Sequence, residues 1–73
     1  MTAVLQSAET TQHVKDLAAN PVIIEMESEI PADVDVNSWE FMQHARAEAE
    51  NRGVISNIIG GVAMAIQQIR ENR

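Results

Sequence analysis

Six branched aliphatic residues, Ile55, Ile58, Ile59, Val62, Ile66 and Ile69, recur at steps of three and four near the end of a 73-residue chain. Apolar residues at that spacing share one face of an α-helix, and the pattern predicts a helix over residues 54–71. The chain has no cysteine, so no disulfide can stand in for a core. A domain of this length buries only roughly 60 % of its unfolded surface, and a fully buried aliphatic side chain contributes roughly 1.5–3 kcal/mol before entropy is subtracted. The isoleucine stripe therefore has to supply much of the core of one domain, residues 1–73. Gly60 and Gly61 interrupt it. Each costs about 1 kcal/mol relative to alanine inside a helix, which calls for a use. The pair serves close packing within the fold, with Gly61 and Ala65 one turn apart, or a kink, a homodimer contact or a binding groove.

The element before it has the clearest start signal in the chain. Asn37 suits an N-cap, and Glu40 three residues on completes a capping box, with Val36 placed to staple against Phe41. Trp39, Met42, Ala45 and Ala49 then follow helical spacing, and Gly53 suits the end of the helix. Residues 37–72 thus read as a helical hairpin.

Two weaker segments precede the hairpin. Residues 7–19 read as a modest helix with Leu5, Ala8, Val14, Leu17 and Ala18 on one side, stopped by Asn20 and Pro21. Thr10 and Thr11 favour helix poorly, so residues 1–20 form a weak element expected to fray. From Val22 to Ile30 the period changes: Val22, Ile24, Met26 and Ile30 alternate with Ile23, Glu25, Glu27 and Glu29, the two-residue period of a strand. No second strand accompanies it. Residues 21–36 are therefore expected as an extended acidic segment that lies along the helices, pairs with its copy in a dimer, or accepts a strand from a partner. The expected fold is mainly α: a small helical domain of two or three helices with one extended segment.

Charge is regional. Up to Glu40 there are eight acids against Lys15 alone, a formal −7; the remainder holds three acids and four arginines, +1. A field of that sign repels nucleic acid and anionic lipid and draws basic protein surfaces. The partner-binding residues expected on this basis are Ile23, Glu25, Glu27, Glu29, Asp33 and Asp35. The N-terminus lacks the basic start and apolar run of a signal peptide. The apolar-rich run over residues 54–66 falls well short of the roughly 20 residues that span a bilayer. A soluble cytoplasmic protein is expected, a monomer before a dimer.

The residues do not assemble a reaction. His13 and His44 lie far apart with no metal-ligand spacing around either. Asp33, Asp35 and Asn37 imitate the first half of a calcium loop, but Ser38 stands where that loop needs glycine and Ala45 where it needs its bidentate glutamate. Trp39 and Phe41 are the only aromatics, too few for a base-stacking platform, and the Gly60–Gly61 pair has neither the strand nor the lysine of a phosphate loop. No enzyme activity, cofactor, metal, membrane or direct nucleic-acid contact is expected. Two classes of function fit: an adaptor or inhibitor that binds a basic or strand-offering protein through residues 25–35, and a homo-oligomeric structural or phage assembly module built on the third helix. A DNA mimic is a variant of the first, though eleven acids offset by five bases are few for that role.

In its length, absence of cysteine, extended segment at residues 22–30 and acidic connector before two C-terminal helices, the chain resembles a small RNA polymerase-binding transcription regulator of a Xanthomonas phage. The resemblance covers size and layout rather than a motif. It implies an inhibitor and antiterminator in the bacterial host cell that contacts the N-terminal part of the polymerase β′ subunit, loosens the hold of the σ factor and has no catalytic activity.

Overall fold

A computed structural model describes residues 2–72, with side chains from Thr10 onward. The chain is mainly helical: α1 (Thr2–Ala18), α2 (Pro21–Glu29), α3 (Trp39–Asn51) and α4 (Gly61–Glu71), with no strand among the described residues. α4 lies at the centre, packed against each of the other three helices. It is buried on nearly every side, with Val62, Ala63, Ala65 and Ile66 all inside, and its alanines let three neighbours approach one helix. Val14 and Leu17 from α1, Ile23 and Met26 from α2, and Ala45 and Ala49 from α3 complete the core with Val36 of the connector. α1 starts at Thr2, ahead of the expected residue 7; the expected roles of Leu5 and Ala8 fall outside the described side chains.

The extended segment expected over residues 21–36 is replaced by a helix in its first half. Asn20 and Pro21 close α1 and also open α2: Asn20 Oδ1 accepts from the Val22 amide at 2.9 Å, and Pro21 occupies the first turn, where its missing N–H is not needed. Over nine residues a period of two and a period of 3.6 are both available. Ile23, Met26, Glu27 and Ile30 sit at i, i+3, i+4 and i+7, and Ile23, Met26 and Glu27 are the buried set. The helical backbone satisfies its own amides, which a lone strand cannot.

The hairpin boundaries also shift. Ser38, not Asn37, caps α3, its Oγ accepting from the Phe41 amide at 3.1 Å. The Asn37 amide instead donates to Asp35 Oδ1 at 3.0 Å. Glu40 is then only the second helical residue, so no capping box closes. Val36 is buried and Phe41 packs against the same core. α3 ends as expected at Gly53, whose φ of 90° is open to glycine. Val54 N–H bonds to Ala49 C=O and Gly53 N–H to Glu50 C=O, the paired bonds of a Schellman motif.

The helix expected over residues 54–71 begins only at Gly61. The preceding loop is set by Ser56, whose Oγ accepts from the Ile58 amide at 3.3 Å and sits 2.8 Å from His13 Nε2 on α1. A Cβ on Gly61 would stand 2.8 Å from that oxygen and 3.3 Å from the His13 ring. Glycine at this position thus admits the α1-to-loop hydrogen bond at the start of α4, and close packing is its use. Loop formation leaves Ile55 and Ile59 facing solvent rather than in the core.

Candidate protein-docking surface

The acids of residues 25–35 do not form one face. Glu25 and Glu29, one turn apart on the outer side of α2, both reach Arg52 at the end of α3: Nη1 to Glu25 Oε1 at 3.3 Å and Nη2 to Glu29 Oε1 at 3.0 Å. The third guanidinium nitrogen, Nε, bonds to Glu48 Oε2 at 3.1 Å. Hydrogen bonds to Glu29 and then Glu48 raise the Arg52 pKa further above its ordinary value, so it stays cationic. Pairs this exposed contribute little net stability; their consequence is orientation, since α2 and α3 lie on α4 but hardly meet each other. A groove of about 260 Å³ runs between them, with Met26, Ile30 and Phe41 below and Glu29, Glu48 and Arg52 at its edge.

Glu27 turns inward. Its side chain is 2 % exposed and bonds through Oε2 to Arg70 Nε at 3.2 Å. Arg70 Nη2 donates to the carbonyls of Ile30 at 2.9 Å and Pro31 at 2.8 Å, so one arginine pins the end of α2 and the start of the connector to α4. Ile23, expected at a partner surface, is fully buried in the core. Neither Ile23 nor Glu27 is presented to a partner in this fold.

Asp33 and Asp35 remain exposed in the connector, and Glu40 is exposed in the first turn of α3. None of the three has a basic partner among the described residues. Between Asp35 and Glu40 stands Trp39, the only tryptophan of the chain, 59 % exposed. Helical spacing placed Trp39 on the apolar face with Met42, Ala45 and Ala49. It is the first helical residue, and at about 100° per residue it stands about 80–120° around the helix from Ala45 and Ala49, off the side where they are buried. The signal available in the sequence was that angular offset from Ala45 and Ala49. Along the same side of α3, Gln43 and Arg46 border a shallow hollow of about 140 Å³ beside Ile59.

His44 lies at the edge of the α2–α3 groove, and His13 is engaged with Ser56. Among the described residues no three His, Cys, Asp or Glu side chains converge as a metal site would need, and no helix is long and apolar enough to cross a membrane. No protein family, curated protein or solved structure matches the chain.

Proposed function

We propose that the chain is a non-catalytic protein-binding regulator that docks on a basic protein surface through Trp39 and the acids around it, Asp33, Asp35 and Glu40. The observation that carries this reading is Trp39, a large side chain left 59 % exposed at the start of a well-capped helix. A small domain gains stability by burying its tryptophan, and exposed tryptophan is the residue type most enriched at the energetic centres of interfaces. The surrounding carboxylates lack basic partners among the described residues, and a formal charge of −6 steers the molecule toward a cationic patch. Bacterial RNA polymerase, through the N-terminal region of β′, is the partner implied by the phage-regulator resemblance. Its channel surfaces handle nucleic acid and carry the complementary sign. One feature of that resemblance, the extended segment at residues 22–30, is a helix here, so the partner rests on size, layout and charge. The assembly-module alternative needs a free apolar stripe on the last helix, whereas Val62, Ala65 and Ile66 are enclosed within a single chain.

Surface plasmon resonance with purified RNA polymerase core enzyme tests the reading. Raising salt from about 0.05 to 0.5 M shortens the screening length severalfold, and the association rate is expected to fall about tenfold or more while dissociation changes little. A complex indifferent to salt, or no complex, overturns the proposed mode of partner capture.

A further inference from the structure

We infer that the groove between α2 and α3 seats a lysine or arginine side chain of the partner together with an apolar neighbour, a second contact that rests on the protein-docking reading above. At about 260 Å³ the groove lies below the roughly 300 Å³ at which pockets for small metabolites begin. One or two side chains fit it better. Its floor of Met26, Ile30 and Phe41 is apolar, while its edge carries Glu29 and Glu48. This pairing of surfaces suits a side chain with an aliphatic stem and a cationic head, which buries the stem and keeps the charge at the mouth. The charge at the mouth is not balanced among the described residues. Glu29 and Glu48 line the groove with the one guanidinium of Arg52, which leaves one negative charge over, and Glu25, outside the lining, shares the same guanidinium and adds a second. All three guanidinium nitrogens already bond to these acids, whereas each carboxylate engages Arg52 through a single oxygen. A second cation can therefore bind without displacing Arg52. An anionic or purely apolar occupant would leave that excess charge uncompensated.

The test uses the full chain, labelled with nitrogen-15, and a synthetic peptide of repeated Leu-Leu-Lys-Lys as probe, beside a control peptide with glutamine in place of lysine. The largest amide shifts are expected at Ile30, Phe41, Ala45 and Glu48 with the lysine peptide, and none with the glutamine peptide. The Glu29→Gln/Glu48→Gln double variant is expected to bind the lysine peptide about tenfold more weakly. Because the control alters the probe rather than the protein, it reads the charge requirement even if the variant folds poorly. Shifts confined to Asp33, Asp35, Trp39 and Glu40 overturn the groove and leave the docking reading standing; no shifts anywhere overturn both. Concentration-dependent shifts at the groove without peptide assign it to a second copy of the chain and overturn the inference. Equal binding of the two peptides does the same.

Discussion

Replacing Arg70 by alanine is expected to destabilise the chain by about 3–5 kcal/mol, the loss typical of removing one partner from a buried ion pair. Two effects combine at this residue. The carboxylate of Glu27, 2 % exposed, loses the guanidinium 3.2 Å away, and the carbonyls of Ile30 and Pro31 lose a donor that ties the connector to α4. Domains of this size sit near the lower end of the roughly 5–15 kcal/mol range of folding stability, so the variant is expected to be largely unfolded at physiological temperature. Arg70→Lys keeps the charge but not the fork that spans carboxylate and carbonyls, and should fall between alanine and the native protein. Urea melts followed by circular dichroism measure both. A native midpoint for Arg70→Ala would mean that Glu27 and the connector are held by other contacts.

Ile66→Ala is expected to remove about 2–5 kcal/mol, because the side chain is 0 % exposed at the centre of α4 and its loss leaves a cavity that three packed helices cannot close. Ile59→Ala provides the contrast. At 48 % exposure in the loop ahead of α4, Ile59 should lose within about 0.5 kcal/mol, the range of ordinary surface substitutions. The two residues stand seven apart in one periodic stripe and look equivalent in the sequence. Equal losses at the two positions in denaturant titrations would place the start of the last helix well before Gly61.

That pair also marks where the sequence was readable. Helical class, the end of α3 at Gly53 and the burial of Val62 and Ile66 in α4, with Ile69 partly buried, follow from spacing and glycine chemistry that act locally. The start of α4 does not, because it depends on Ser56 meeting His13, a contact across 43 residues. α2 was hidden by length: nine residues satisfy a strand period and a helix period together, and the deciding feature is Asn20 acting as a cap as well as a stop. The acidic run was legible as charge but not as a surface. Its division into Glu25 and Glu29 on Arg52, Glu27 on Arg70, and Asp33 and Asp35 exposed depends on where two arginines from other helices arrive. Trp39 was misplaced for a smaller reason: at about 100° per residue it stands about 80–120° around the helix from Ala45 and Ala49, an offset that their three- and four-residue spacing concealed.

The exposed tryptophan and its flanking acids form the centre of the functional account, and Trp39→Ala tests it most directly. The substitution is expected to leave the folding free energy from urea melts within about 0.5 kcal/mol of the native protein. Dissociation from RNA polymerase core enzyme, read by surface plasmon resonance, should accelerate by about 30-fold, corresponding to about 2 kcal/mol at an interface centre. Native dissociation from an equally stable Trp39→Ala protein would contradict the account and place recognition on another face of the molecule.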